Sequence, residues 1–558
     1  MRIWEKRGET VTVALRVGPL LRHVGPTTAT VWVETDAPCL VRVRAGGRTA
    51  AESRTFTVHG HHYAVCELTG LAPGSSLPYE VLLDGAVVWP EPEAGLPPST
   101  VRTLDPQAPT RLLYGSCRTP TNDSPEGVVR YGPDLLRATG RRLAEEGVGE
   151  GVNTVLLLIG DQVYADEIQR PMRDFLRRSR EAGDDAPEGE VVRYGEYAEL
   201  YRQAWSDPWV RWLLSTVPTV MIFDDHDVRD DWNTSAAWRE GMAALPWWPA
   251  RITGALGAYW VYQHLGNLSP GERERDPVWA SVRGEDDAGA VLDAFARRAH
   301  EEPSSYRWSH RHDVGGVRVL VADTRCGRAL GEGGSGERSI LGPQGHDWLD
   351  AHLTGGHEHV VLASTVPVLL PHAVQHLEAW NEAVCAGAWG RRARGPAERL
   401  RQAMDMEHWG AFQYSFRRLA DGVRALCRGE RGGAPATVLF LSGDVHFSYA
   451  ARVDGGDAAG GTRVAQLVSS PLCNRLPAPM RRLTRLSTVW PLRVVGRAMA
   501  WAARVPGSWP RWRVEGPPYY GNTMGEVRFD GARAEALWYD CPDPGTDPCP
   551  RVQRRMRV

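Results

Sequence analysis

The sequence predicts an α/β protein preceded by a β-sandwich. Three observations predict it. The first hundred or so residues alternate apolar and polar positions over short stretches. From about residue 108 the apolar runs become continuous, about five residues long, and stop abruptly in polar loops. Helix-period segments lie between those runs.

In the first part, TATVWVET (28–35) and LVRVRAGG (40–47) have the pattern of half-buried strands. YAVCELTGLAPGSSLPYEVLLDG (63–85) reads as strand, turn, strand, with Pro and Gly in the turn. Short strands at this spacing predict a sandwich, and PEPEAGLPPST (90–100) an edge or linker. LTGLAPGSSLPYEV resembles a fibronectin type III module, with Tyr79 as the tyrosine that follows the turn. Residues 1–106 are assigned to this domain and 107–558 to a second, larger one. The buried strands of the second are RLLYGSC, TVLLLIGDQ, TVMIFDDHD, VRVLVADTR, HVVLASTVP and TVLFLSGDVH. Trp409, Phe412, Phe416, Leu419, Val423 and Leu426 fall on one face of a predicted helix. Segments 168–195, 268–303 and 427–436 are rich in charge and glycine and are read as loops or insertions.

The bulk numbers narrow the function. A chain of 558 residues exceeds one ordinary domain. A net charge of -3 leaves no nucleic-acid footprint. Nine scattered cysteines make no disulfide framework, and Cys541 and Cys549 are read as free thiols rather than a pair. No apolar run is long enough to span a bilayer. Residues 489–504, apolar with three arginines, are read as a packed helix with exposed arginines, a membrane-surface helix being the other reading.

The chemistry gathers where strands end. In open α/β sheets, ligands bind at the carboxyl ends of strands. Four ends here carry metal-ligand residues: Gly115-Ser116-Cys117-Arg118, then Gly160-Asp161-Gln162-Val163-Tyr164-Ala165-Asp166, then Asp224-Asp225-His226-Asp227, and last Ser442-Gly443-Asp444-Val445-His446. Two carboxylates about 4 Å apart repel by roughly 4 kcal/mol at an effective dielectric near 20. A bound cation would offset that repulsion. Each motif alone has a bland reading: a buried thiol, a turn, an acidic helix cap. Four in succession do not.

GSCR, GDQVYAD, FDDHDVRDDW and SGDVH, in this order, resemble the motifs of the alkaline phosphatase D (PhoD-like) family of the calcineurin-like metallophosphoesterases. VADTR (321–325), GPQGHDWL (342–349), ASTVPVLL (363–370) and EHWGAF (407–412), the last expected in the late helix, add to the resemblance. It implies an α/β/β/α sandwich with the metal centre at its loops. It further implies Asp161 as a bridging carboxylate, Cys117 and Tyr164 beside it on the first metal, Asp225 on the second, and Asp444 and His446 completing the pocket. Thiolate and phenolate suit ferric iron. Oxygen ligands suit calcium, or manganese, at the second site, zinc being a further choice. His226 is implied as acid or orienting group. Arg118 and Arg229 are assigned either to clamping phosphate or to salt bridges with surplus aspartates. His408 and Trp409 are placed near the substrate side, Trp409 chiefly as core.

The implied reaction is in-line attack of a metal-bound hydroxide on a phosphomonoester or diester. Two rivals stand beside it: a phosphodiesterase or phospholipase acting on lipid or wall polymer, and a non-catalytic scaffold on a decayed phosphatase fold. The chain begins without a twin-arginine signal, so a cytoplasmic relative is expected, or an extracytoplasmic one if this is a mature form. Asp227 stands where the family often has Glu.

Overall fold

A computed structural model describes residues 13–91, 95–121, 124–181, 183–331, 337–454, 461–487, 490–507, 509–541 and 550–558. Cys549, of the pair considered above, lies outside them. The N-terminal part holds two antiparallel sheets. One runs Leu15–Val24, Thr28–Thr35, His61–Thr69, Phe56–Val58; the other runs Arg48–Arg54, Leu40–Ala45, Ser76–Leu83, Ala86–Trp89, with Thr100–Arg102 paired to Ser76–Leu83. Val31, Val33, Val41, Val43, Val81 and Leu83 fill the space between them.

Leu40–Ala45 is half-buried, as its alternation predicts. Thr28–Thr35 is buried on both faces, against expectation. Its polar positions face the larger part of the chain: Glu34 accepts from Tyr262 Oη at 2.8 Å and His61 Nδ1 at 3.0 Å. A polar alternate therefore marks an internal hydrogen-bonded interface here, not solvent.

The next strand, Thr110–Gly115, opens a six-stranded sheet in the order Thr219–Ile222, Asn153–Ile159, Thr110–Gly115, Met524–Asp530, Arg533–Asp540, Arg551–Arg557. Its first three strands are parallel. A seven-stranded sheet has parallel strands Val317–Ala322, His359–Ser364, Thr437–Ser442 and Arg463–Val468, flanked by antiparallel partners. Alternate side chains explain the continuous apolar runs. Leu112, Val155, Leu157, Val319, Val321, Leu439 and Leu441 share one core. Leu113, Leu156 and Leu158 pack instead with helical residues such as Leu136, Leu213 and Leu256, and Leu320, Val438 and Phe440 with Leu349, Phe416 and Leu419.

Further elements differ from the sequence expectation, among them the helix Arg170–Ser179 inside segment 168–195. The late helix spans Gln413–Cys427, and Trp409–Ala411 form a separate 3-10 turn before it. Phe416, Leu419, Val423 and Leu426 share the buried face, while Trp409 is buried through a bond from Nε1 to Ser364 Oγ at 3.0 Å. EHWGAF thus precedes the helix. Segment 268–303, read as an insertion, is mostly helical: Pro270–Arg275, Pro277–Val282 and Gly289–Glu301. Ser269 and Asp276 cap the first two, each followed by proline at the first helical position. High charge hid those start signals.

The two parts are tied by polar contacts. Arg22, on the first strand, donates to Met221 Sδ at 2.7 Å, Gln263 O at 2.5 Å and Asn267 Oδ1 at 2.9 Å. Tyr79 Oη donates to Ser215 O at 2.8 Å. Behind this contact, helices Leu135–Glu146 and Pro208–Thr216 meet at Gly140, where a Cβ would sit 2.4 Å from Trp209 O. Gly140→Ala is therefore expected to cost about 1–3 kcal/mol by overpacking. A lower melting temperature in scanning fluorimetry checks it; an unchanged one would mean the helices part freely.

Candidate metal centre

The site is built from loops that leave the strand ends in a sparsely populated backbone conformation. Cys117 (φ +57°), Asp161 (φ +50°), Asp444 (φ +65°) and His446 (φ +55°) are all left-handed. Each such non-glycine residue costs about 1–3 kcal/mol and persists only where its surroundings hold it. The surroundings are the neighbouring loops. Cys117 N donates to Gly160 O at 3.3 Å, Arg118 N to Asp161 O at 3.1 Å, and Asp444 N to Ser116 Oγ at 3.1 Å. The glycine before each aspartate lets the loops touch. A Cβ on Gly443 would lie 2.0 Å from Ser116 Oγ, and one on Gly160 2.8 Å from Asp224 Cβ.

Three overlapping groups of ligand atoms result, each with its atoms within 4.8 Å of one another: Cys117, Asp161 and His446; Asp161, Asp224 and Asp225; Asp225, Glu407 and Asp444. A fourth joins Asp225, His226 and Asp230. Asp161 and Asp225 are the shared members. Tyr164 Oη lies 3.4 Å from Asp161 Oδ2 and 3.3 Å from His446 Nε2. Ser116 and Ser470 hydroxyls lie 3.1 and 3.4 Å from Cys117 Sγ.

His226 stands at the edge of this cluster. Its Nδ1 is 3.0 Å from Asp166 Oδ1, its Nε2 is 3.6 Å from Asp230 Oδ1, and its ring lies 4.5 Å from that of Tyr164. Arg325, fully buried, is paired with Asp224 and Glu407, and its Nη2 lies 3.1 Å from Asp225 Oδ1. His408 Nε2 is 3.0 Å from Asp444 Oδ2, and its Nδ1 is 2.7 Å from Glu378 Oε1.

The sequence-derived set therefore divides. Cys117, Asp161, Tyr164, Asp225, His226, Asp444 and His446 come together. Arg118 and Arg229 do not join them as phosphate clamps. Arg118 is buried and grips Asp134 through Nε and Nη2, at 2.8 Å for the latter, while Nη1 donates to Ala204 O. Arg229 pairs with Glu190 at 3.3 Å and lies over Trp247. Their partners are not the surplus aspartates either. Of those, Asp227 accepts from the backbone N–H of Asp224 at 2.9 Å and of Val163 at 3.3 Å, holding two motif loops together. Asp166, Arg325, Glu407 and Glu378 were missed. The first three lie inside GDQVYAD, VADTR and EHWGAF, and what hid them was a partner distant in sequence. Glu378 had no local signal.

The chemistry of the donors fits cations. Asp161 Oδ1 and Asp224 Oδ2 are buried without a hydrogen-bond partner, and Asp225 Oδ1 has only its misaligned approach to Arg325. Orphaned buried carboxylate oxygens are costly unless something positive reaches them. Burial and the charges of Asp225 and Asp224 push Asp161 well above the carboxylate range, although His226 opposes them. Burial and the negative charges of Glu407 and Asp405 push Asp231 up to about 9. Burial, Asp161 and Asp444 also push the Cys117 thiol up. His226 is the reverse case: burial opposes its charge, yet Asp166, Asp225 and Asp161 hold it well above its usual value.

A family model described as PhoD-like phosphatase matches residues 141–487. The chain belongs to the PhoD-like phosphatase family. That family is one of phosphoesterases, and its match covers the acidic run, Tyr164, Asp161, Asp444 and His446. Residues 12–101 match a second model, described as Domain of unknown function (DUF7800). A solved structure titled "Structure of PhoD" is similar at 12% identity and a TM-score of 0.61, covering 99% of this chain and 93% of that one. This likeness shows a shared fold. A structure of the type III pullulan hydrolase from Thermococcus kodakarensis, at 10% identity over 95% of this chain and 94% of that one, has a TM-score of 0.14 and carries no argument. No curated protein matches.

The raised carboxyls set the pH behaviour of the metal-free protein. A folded pKa above the unfolded value near 3.9 means that the folded state binds more protons, so stability falls as pH rises through that interval. For Asp231 the interval runs from about 4 to about 9. The melting temperature of metal-stripped protein is expected to fall between pH 5 and 9, and added cations to flatten the fall. A melting temperature that climbs over this range would contradict the reading.

Proposed function

We propose that this centre hydrolyses phosphate esters with at least two cations, Fe3+ beside Cys117, Tyr164, Asp161 and His446, and Ca2+, or Mn2+ or Zn2+, beside Asp225, Asp444 and Asp161. The carrying observation is that Asp161 belongs to both the sulfur-containing and the all-carboxylate group and keeps one buried oxygen unpartnered. When bound, such cations would supply Lewis acidity to a phosphoryl oxygen and acidify a ligated water.

The chain's own groups do the rest. Asp166 fixes the His226 ring through Nδ1 and favours its protonated form, so Nε2 carries a proton for the leaving oxygen. Tyr164 covers one face of that ring. His408, steadied by Glu378, orients Asp444. With Arg118 and Arg229 engaged elsewhere, Arg325 is the buried cation that opposes, without overcoming, the rise that burial forces on Asp224 and Asp225. The intact ligand set opposes a decayed scaffold. We read the two facing sheets with outer helices as an α/β/β/α sandwich, and the N-terminal sheets as fibronectin type III-like, a reading that rests on the Tyr79 turn.

Elemental analysis with a visible spectrum tests the cation assignment. Iron and a thiolate- or phenolate-to-ferric band are expected, weakened in Tyr164→Phe and Cys117→Ala. A colourless, iron-free and fully active protein would overturn the iron while leaving the hydrolase. Chelation is expected to abolish turnover of aryl phosphate esters, and the ratio of monoester to diester rates separates phosphatase from phosphodiesterase. His226→Gln is expected to lower kcat about 10²–10⁴-fold, most for poor leaving groups. An equal loss for good and poor leaving groups would argue for orientation instead of proton donation.

A further inference from the structure

Residues 478–487 and 490–504 form a surface that the catalytic reading does not use. The stretch carries six arginines and no aspartate or glutamate, in a chain of net charge -3. It folds as the helices Ala478–Ser487 and Trp490–Ala502. The second touches the body through a narrow seam of small residues. Gly496 lies against Ala373 and His376 of helix His372–Cys385, where a Cβ would come within 3.2 Å of Ala373 O, and Ala500 and Ala503 are buried beside it. Large apolar residues of this part of the chain are left exposed: Leu492, Val494 and Val495 are about half exposed or close to it, Trp501 is 80% exposed, and Met480 on the first helix and the nearby Trp389, whose Nε1 reaches Ala502 O at 3.4 Å, are about half exposed. Exposed Arg482, Arg493 and Arg497 are interspersed with them.

Toward the body the helix presents Gly496, Ala500 and, just past its end, Ala503, while Trp501 and the valines at 494 and 495 stay exposed. Outward Trp, Leu and Val among arginines is the make-up of a helix that lies in a lipid interface, with the apolar groups at acyl-chain depth and the guanidinium groups at the phosphates. The basic surface continues inward. A cavity of about 550 Å³ just past the end of the helix is lined by Arg394 and Arg504 at its exposed side and by Arg338 and Arg401 deeper in. Arg401 is 4% exposed and its Nη2 has no hydrogen-bond partner; Arg338, Arg394 and Arg504 have no carboxylate at ion-pair distance among the described residues. Glu382 and Glu398 also line the cavity, and Glu398 pairs with Arg401 at 2.8 Å. Arg338, Arg394 and Arg504, which outnumber the ion-paired Arg401 in a cavity also lined by Glu337, favour phosphate-bearing headgroups over a protein partner.

We propose that residues 478–487 and 490–504 dock this protein on the surface of a bilayer containing anionic phospholipid, with Trp501, Val494 and Val495 inserted and the adjoining arginine cavity facing the headgroups. The helix lies on the surface; among the described residues no helix is long and apolar enough to cross a membrane. The docking is independent of the cation chemistry proposed above.

Co-sedimentation of the full-length, metal-loaded protein with vesicles tests it. Binding to phosphatidylcholine vesicles containing 30% phosphatidylglycerol is expected to be on the order of tenfold or more tighter than to phosphatidylcholine alone, and to weaken in 0.5 M NaCl. Trp501→Ser with Val495→Ser, and separately Arg493→Gln with Arg497→Gln, are each expected to lower it about tenfold. All four positions are exposed, so an unchanged melting temperature verifies the fold. Equal binding to both vesicle types, or variants that bind like wild type, would overturn the proposal. So would a dimer in sedimentation velocity without lipid that the Trp501→Ser variant loses, since the patch would then be covered by a second copy of the chain.

Discussion

One buried arginine holds the site together before any ion arrives. Arg325 leaves the end of Val317–Ala322 in the seven-stranded sheet and reaches Asp224 and Asp225, which leave the end of Thr219–Ile222 in the six-stranded sheet. It is bound on its other side by Glu407, and Asp444 lies 3.9 Å away. A lone guanidinium in such a place would be very costly, as would the lone carboxylates. Together they let two sheets that meet through apolar side chains end in a charged rim. Arg328, also bonded to Glu407, repeats the arrangement one turn further out. The positive charge beneath the aspartates does not cancel them. It leaves an excess of acid and several unpartnered oxygens facing one point, and that excess is what a cation can use.

The pathway from residue type to site was readable in unequal measure. The strands of the two large sheets were plain because parallel strands buried on both faces leave unbroken apolar runs, and the polar residues just past them stood out against that background. The seven residues that converge on the cluster come from these positions. Arg118 was misplaced because its motif neighbours are ligands while its own side chain turns inward to Asp134; adjacency along a left-handed loop does not mean a shared direction. Helices in 268–303 were obscured by surface charge. Arg325 and Glu407 meet across 82 residues of chain and Glu378 reaches His408 across 30, and no local pattern encodes such partners.

The second coordination of the histidines is equally non-local. His226 is oriented from the Tyr164 loop and His408 from helix His372–Cys385, so the two rings answer to different elements. Tyr164, Asp166 and His226 pack as one unit. Glu378 and His408 depend instead on the helix that also supports Gly496 and the outward-facing surface. The rim of the site is thus connected to the exterior along one helix and to the interior along another loop.

Arg22 gives the N-terminal sheets a meaning beyond attachment. Its guanidinium sits under Met221, on the strand that delivers Asp224 and Asp225, and shares Asn267 with that strand's backbone. Part of the floor below the acidic run is therefore supplied by the first β-strand of the chain. A fusion or shuffling event that exchanged this front module for another sandwich would have to bring its own plug for that hole, so the two parts are constrained to be inherited as a matched pair.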